Sequence, residues 1–249
     1  MKRILLSGCN GKMGRMITAC VRERDDCTIV AGIDISGTVL DAYPVFTSLS
    51  ECSVESDVII DFSHPSALAP LLEYAVKTHV PSVIATTGLS AAQIALIHEK
   101  SKEVPLFFTF NMSLGVNLLA QLAKKAASVL GDQFDVEIVE KHHNQKIDAP
   151  SGTALMLADA VSSAMDNEPQ YVYDRHAVRK KRSKNEIGIH SVRGGTIVGE
   201  HEVIFAGRDE VITLSHSAAS KEVFAVGSIN AALFLCEKEN GLYDMGNLV

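Results

Sequence analysis

KRILLSGCNGKMGRMITACVRERDDCTIVAGID, residues Lys2–Asp34, decides the fold. It reads as a short apolar strand from Ile4 to Ser7, a turn with glycines at Gly8, Gly11 and Gly14, a helix with Met13, Ile17, Cys20 and Val21 on one side, and a second strand from Thr28 to Asp34. Glycines at this spacing between strand and helix let the backbone approach a pyrophosphate seated on the positive helix N-terminus. Asp34 closes the second strand 20 residues after Gly14, where a carboxylate reaches the ribose hydroxyls of a dinucleotide. Turn glycines beside a solvated acid are the plainer reading. The ordered combination of strand, turn, helix, strand and acid favours dinucleotide binding, with Asn10, Lys12 and Met13 as further contacts in the turn. Ile35 and Ser36 follow the acid where a basic residue would neutralise a 2'-phosphate, which favours NADH. Lys12 and Arg15 could supply that charge from the turn, so NADPH stays open.

Working outward, Asp57 to Phe62, Pro81 to Thr86 and Pro105 to Thr109 are further short apolar runs, separated by predicted helices over Pro65–Thr78 and Ala91–Lys102. Strands alternating with helices predict a Rossmann-like, doubly wound parallel sheet. Three loops fall at the carboxyl ends of its strands, the edge where open α/β sheets bind ligands: Phe62-Ser63, Thr86-Thr87-Gly88 and Phe110-Asn111-Met112. Each alone reads as turn chemistry or a cap, Thr87 or Ser90 being able to cap the next helix. Their shared edge makes all of them candidate cofactor contacts.

The pattern changes after residue 112. A helix over Val116–Leu130, a strand over Asp135–Glu140 and a helix over Ser151–Met165 precede three β-rich segments, Ile187–Val192, Thr196–Phe205 and Glu210–His216. Glycine turns at Gly194-Gly195 and Gly207-Arg208 predict a mixed or antiparallel sheet, hence a second, α+β domain. A last helix, Glu222–Glu237, carries Val223, Val226, Ile229, Ala232 and Leu233 at spacings of three and four.

Composition excludes several classes. The 249 residues are 47% apolar and carry a formal charge of -7, which argues against a general nucleic-acid or anionic-membrane binder. Five cysteines without a CxxC pair indicate reduced thiols, neither a disulfide framework nor a zinc ribbon. The start, MKRILLSG, is too short in apolar residues for a signal peptide, and no run approaches the roughly 20 residues that span a bilayer. A cytoplasmic location is expected.

The chemistry concentrates in EIVEKHHNQKIDAPSGT, Glu137–Thr153. Neighbouring strand side chains alternate faces, so at most one of His142 and His143 points into a given cleft. Histidine ordinarily titrates near 6.5 and lysine near 10.4, so these residues with Lys146 offer a switchable group and a fixed cation. Asp148-Ala149-Pro150 breaks the chain, and Ser151-Gly152-Thr153 opens a helix whose N–H groups suit a carboxylate. A metal pair lacks a third ligand at useful spacing, and loop polarity with a helix cap is the other plain reading. With a reducing cofactor beside it, the cluster points to a reductase of a small carboxylate.

The sequence resembles the 4-hydroxy-tetrahydrodipicolinate (dihydrodipicolinate) reductase family along nearly its whole length. The resemblance rests on Glu140-x-His142-His143-x-x-Lys146-x-Asp148-Ala149-Pro150-Ser151-Gly152-Thr153, and on Gly8-x-x-Gly11-x-Met13-Gly14, Asp61-Phe62-Ser63, Thr86-Thr87-Gly88, Asn111-x-Ser113-x-Gly115-Val116-Asn117, Arg193-x-Gly195-x-Ile197-Val198-Gly199-Glu200-His201 and Ser215-His216-x-Ala218-x-Ser220. It implies a dinucleotide-binding domain over 1–112, a substrate-binding and oligomerisation domain over 113–220, and a C-terminal segment over 221–249 returning to the first. It implies His142 and Lys146 as the catalytic pair, with Lys146 as proton donor, and His143, Lys146, Ser151, Gly152 and Thr153 around a substrate carboxylate. It also implies a homotetramer and a domain motion bringing nicotinamide to the second domain's site. Two features depart from the family: no basic residue follows Asp34, and Lys221 stands where an arginine is common. The basic segment Arg175–Lys184 reads as a solvated loop or as an electrostatic funnel for anionic ligands. The rivals are another two-domain dehydrogenase, of diaminopimelate or aspartate type, and a catalytically silent NAD(P) sensor. The first has no need of the Ser-Gly-Thr pocket, and the second no need of both His142 and Lys146.

Overall fold

Strands apolar on both faces build the first sheet. In the computed structural model, which describes residues 1–248, β1 (Lys2–Ser7) leads through α1 (Lys12–Arg22) to β2 (Cys27–Ile33), β3 (Val45–Phe46) and β4 (Val58–Asp61). Then come α2 (Leu68–Thr78), β5 (Ser82–Ile84), α3 (Ala91–Lys100), β6 (Pro105–Phe108), α4 (Leu114–Leu130), β7 (Asp135–His142) and α5 (Gly152–Ser162). β8 (Gln170–Val172), β9 (Glu186–Arg193), β10 (Gly199–Ala206), β11 (Val211–Ala218), α6 (Glu222–Leu235) and β12 (Gly241–Tyr243) complete the order. Every helix and strand expected from periodicity is present, with no end shifted by more than three residues. The unexpected strands β3, β8 and β12 are two or three residues long, too short to show a period.

The contacts divide the chain into two units, Met1–Leu114 with Glu222–Val249, and Gly115–Lys221. The first holds a parallel sheet of order β12-β6-β5-β4-β1-β2-β3. Alternation along each strand sends residues to opposite layers. Ile4, Leu6, Val58, Ile60 and Phe107 pack with Ile17 and Val21 of α1 and Ala225 and Ile229 of α6. Leu5, Ile59, Ile84 and Leu106 pack instead with Leu71 and Leu72 of α2 and Ile97 of α3. Each such side chain stabilises the fold by roughly 1.5–3 kcal/mol through burial. Chain order reverses between β1 and β4, so the crevice at their carboxyl ends is the switch point.

α6 differs from its expected stripe. Ala225, Gly227, Ser228, Ile229, Ala231, Ala232 and Leu235 are buried while Val226 is exposed, so the helix is interior around most of its circumference. Small residues permit this, since a Cβ on Gly227 would overlap the Met112 carbonyl.

The second unit has a mixed sheet, β11-β10-β7-β9-β8. β10 runs antiparallel to β7 and β11, and β9 runs parallel to β7 and β8. Gly207-Arg208 lies in a true hairpin, between β10 and β11. The turn at Gly194-Gly195 does not pair its flanking strands, because β9 and β10 lie on either side of β7, and the sheet is mixed rather than wholly antiparallel. Val136, Ile138, Ile187, Ile189, Val203 and Phe205 form a core with α4 and α5. On the opposite face, Lys141 bridges Glu200 and Glu202 at 3.3 and 2.8 Å.

The basic segment is fastened to this sheet. Arg175 pairs with Glu137 and Glu186 at 2.6 and 2.9 Å, Arg182 with Asp135 and Glu137 at 2.8 and 3.0 Å, and Lys180 with Glu186 at 3.2 Å. These cations are engaged locally, so the segment is neither a freely solvated loop nor a fully available funnel. Among the described residues no helix is long and apolar enough to cross a membrane.

Candidate active site

Period-two burial along β7 turns Val136, Ile138, Glu140 and His142 to the inner face. His142 is therefore buried, while His143, just past the strand, is half-buried. The structure thus separates the two histidines as strand alternation requires. His142 Nδ1 lies 2.6 Å from Glu140 Oε2. Arg193 clasps the same carboxylate with Nη1 to Oε2 at 2.7 Å and Nη2 to Oε1 at 2.6 Å. The Ser151 N–H donates to Oε1 at 3.1 Å. Burial alone would raise the Glu140 pKa, but the Arg193, Ser191, His142 and Ser151 donors outweigh it and hold it at about 2. Burial pushes His142 below its ordinary value, partly opposed by Glu140.

Beyond the strand, the Lys146 N–H donates to the His143 carbonyl at 3.1 Å, and Lys146 Nζ meets Asp148 Oδ1 at 2.9 Å. Ser151 is the N-cap of α5, its hydroxyl accepting the Ala154 N–H at 3.2 Å. That hydroxyl also meets His201 Nε2 at 3.2 Å. Gly152 is exposed with open space around its Cα, and Thr153 is half-buried on the first turn. The loop and helix start can therefore present N–H donors and a cation to an anion, next to an imidazole.

The first unit builds its turn as the glycine pattern requires. Gly8 takes φ +76°, and a Cβ there would overlap the Phe62 carbonyl. A Cβ on Gly14 would overlap the carbonyls of Gly8 and Cys9. Gly11 is the N-cap of α1 and offers no side-chain cap, leaving the first-turn N–H groups suited to a pyrophosphate. Asp34 Oδ2 accepts the Asn10 N–H at 3.3 Å, and Oδ1 accepts the Ser36 N–H and hydroxyl at 3.0 and 2.8 Å. Burial opposes its ionisation, but these bonds hold the carboxyl below its ordinary range. The donor set and the anionic strand end fit a dinucleotide. Lys12 is exposed and Met13 half-buried against the core.

At the neighbouring strand ends, the hydroxyls of Ser63 and Thr86 each donate to buried Asp61 at 2.6 Å, and the Ser63 N–H donates to Thr86 Oγ1 at 3.1 Å. These side chains stitch β4 to β5. Phe62 packs partly on the core, Thr87 and Gly88 are exposed, and Ser90 rather than Thr87 caps α3 in a capping box with Gln93. Phe110 is exposed against Phe108. Asn111 Oδ1 accepts the Ser113 N–H at 2.8 Å. Met112 is buried in the core and Ser113 is buried beside it, whereas Phe110 is exposed.

Residues 2–112 match the family described as dihydrodipicolinate reductase, N-terminus, and residues 115–249 match its C-terminus. The chain belongs to the dihydrodipicolinate reductase family. It is a nicotinamide-dependent oxidoreductase with a Rossmann-like fold. A 4-hydroxy-tetrahydrodipicolinate reductase of Caldanaerobacter subterraneus subsp. tengcongensis is 53% identical over 249 residues, covering 100% of this chain and 98% of the relative. The dipicolinate-bound dihydrodipicolinate reductase from Paenisporosarcina sp. TG-14 superposes with a TM-score of 0.84 at 25% identity, covering 100% of both chains. A diaminopimelate dehydrogenase from C. glutamicum shares the fold alone, with a TM-score of 0.56 at 12% identity over 98% of this chain and 92% of that one.

For this dihydrodipicolinate reductase family member, the sequence reading of single residues missed Glu140, Arg193 and His201 as parts of the site. Glu140 was within reach, since a residue two positions before His142 on a strand shares its face. Arg193 and His201 enter through strand pairing, His142 opposite Arg193 and Glu140 opposite His201, which local patterning does not specify.

Proposed function

We propose that this chain reduces 4-hydroxy-tetrahydrodipicolinate to tetrahydrodipicolinate, using NADH or NADPH, in the diaminopimelate route to lysine. One observation carries the assignment of roles. The Glu140 carboxylate accepts both His142 Nδ1 and the Ser151 N–H, so the proton-handling group and the carboxylate pocket share one anchor.

The first unit, through Gly8, Asn10, Gly11, Lys12, Gly14 and Asp34, holds the dinucleotide; Phe62, Ser63, Thr86, Thr87, Gly88, Phe110 and Asn111 shape the nicotinamide end. When bound, the cofactor supplies the hydride delivered to C4 as water leaves the ring. In the second unit the N–H groups at Gly152 and Thr153, with Ser151, His143 and Lys146, bind a substrate carboxylate. Lys146 gives the proton to the neighbouring carbon and His142 assists. Asp34, ionised and without a basic neighbour, favours NADH. The same reading makes the protein a cytoplasmic homotetramer assembled through the second unit's sheet.

The test is coupled oxidation of NADH and NADPH with the product of dihydrodipicolinate synthase, on wild type and Lys146→Ala. Absence of substrate-dependent oxidation with either cofactor would sink the function. Full activity of the variant would sink the role of Lys146 alone.

A further inference from the structure

The buried Glu140 carboxylate is the most heavily bonded acid in the second unit's site, and it touches no group assigned to substrate directly except through His142 and Ser151. Donors from four residues converge on it: His142 Nδ1, both terminal nitrogens of Arg193, the Ser151 N–H and the Ser191 side chain. An ionised carboxylate can only accept, so Nδ1 of His142 must be the donor in that 2.6 Å contact. The proton that His142 exchanges is then on Nε2. Arg193 Nη2 also donates to the Asp148 carbonyl at 2.7 Å, two residues beyond Lys146. The Gly194 N–H donates to the His142 carbonyl at 2.9 Å and the Asn144 N–H to the Gly195 carbonyl at 3.2 Å, tying the end of β9 to the same loop.

We propose that Glu140 and Arg193 are a positioning pair. Glu140 locks His142 in the Nδ1–H tautomer, leaving Nε2 for proton exchange, and Arg193 holds both Glu140 and the loop that carries Lys146. A buried carboxylate orienting an imidazole in this way fixes both ring angle and tautomer. The pair rests on the reading that His142 and Lys146 handle the proton. Arginine rather than lysine suits the role because its planar fork meets both carboxylate oxygens and the carbonyl at once. The groups facing His142 are Glu140 on its own strand, Arg193 on β9, Lys146 in the loop and His201 on β10, whose ring centroid lies 5.2 Å away, edge to face. Glu140 is the one anion among them, so its removal shifts the His142 ionisation to lower pH.

The test combines 15N NMR of ring-labelled histidines with pH profiles of kcat and kcat/KM on wild type, Glu140→Gln and Arg193→Lys. Expected is a wild-type His142 protonated on Nδ1 and bare on Nε2 when neutral. In Glu140→Gln the tautomers become mixed, kcat falls about 100-fold and the His142 ionisation moves to lower pH. In Arg193→Lys, kcat falls about tenfold with the wild-type tautomer kept, because the charge remains while the fork is lost. A neutral wild-type His142 protonated on Nε2 overturns the proposal, and that measurement needs no variant to fold. Unchanged kcat and pH profile in both variants overturns it as well. Failure of the underlying functional reading is distinguishable, since it appears as absent substrate-dependent oxidation by the wild type, whatever its tautomer.

Discussion

Ser151 Oγ lies 3.2 Å from His201 Nε2 while accepting the Ala154 N–H at the start of α5. The hydroxyl that caps the helix is thus also held by an imidazole from β10. His201 is buried, and its Nδ1 has no partner among the described residues. Burial, reinforced by the neighbouring His142, pushes its pKa down to about 4. Neutral His201 is therefore part of what keeps Ser151 oriented at the carboxylate pocket.

Stability should consequently fall in mild acid. The folded pKa of about 4 lies below the ordinary value of 6.5, so between those limits the unfolded chain binds more protons than the folded one. This contribution is full above pH 6.5 and is lost as pH falls toward 4, amounting to about 3 kcal/mol. Urea unfolding at pH 7, 5.5 and 4 should show the slope in wild type and a shallower one in His201→Asn. The contribution of Glu140, held at about 2, is full above its ordinary value near 4.5 and is lost only below it, so the slope between pH 7 and 5.5 does not include Glu140.

Lys146 and Asp148 should separate catalysis from stability. Lys146→Ala is expected to lower kcat by about 10²–10⁴-fold in steady-state assays, through loss of the proton donor. The exposed Asp148 makes an ion pair with Lys146 that contributes at most about 1 kcal/mol to stability. Asp148→Asn should therefore leave the melting temperature close to wild type and lower KM several-fold, as roughly expected when a carboxylate competing for Lys146 is removed. A marked loss of stability would refute this division.

Gly14 should tolerate no side chain. An alanine Cβ would overlap the carbonyls of Gly8 and Cys9, forcing α1 away from the turn. Gly14→Ala is expected to weaken NADH binding by about tenfold or more and to destabilise the first unit by roughly 1–3 kcal/mol. Fluorescence titration with NADH measures the first effect and denaturant unfolding the second; wild-type affinity would remove the turn from the cofactor site.

Cofactor choice should respond to one charge. Asp34 is held ionised by Ser36 and Asn10, which disfavours a 2'-phosphate. Wild type should show a higher kcat/KM with NADH than with NADPH. Ser36→Arg should raise kcat/KM for NADPH by about tenfold, the worth of one charge-assisted hydrogen bond. An unchanged ratio would place the 2' position elsewhere.

Much of this molecule was legible along the chain. Residues 2–34 specify a strand, a turn needing positive φ at Gly8, a helix and an acid-ended strand, all governed by local rules. The stretch Glu137–Thr153 likewise displays its histidines, its lysine and its helix cap, because strand alternation and N-capping act over a few residues. Glycines at 194 and 195 marked a turn and left the sheet mixed or antiparallel, since a turn motif states that the chain reverses but not which strand fills the space beside it.

The sequence by itself therefore determined the element types, the glycine turn and, through its resemblance, the candidate chemistry. Only the tertiary structure decided that β9 lies parallel to β7 with Arg193 opposite His142, and that β10 brings His201 to Ser151. It also buried α6 on most sides and fastened Arg175 and Arg182 to β7. The physical reason is range. Backbone sterics and side-chain periodicity act between near neighbours, whereas strand register and the partners of a buried charge are selected by packing between segments some 50 residues apart.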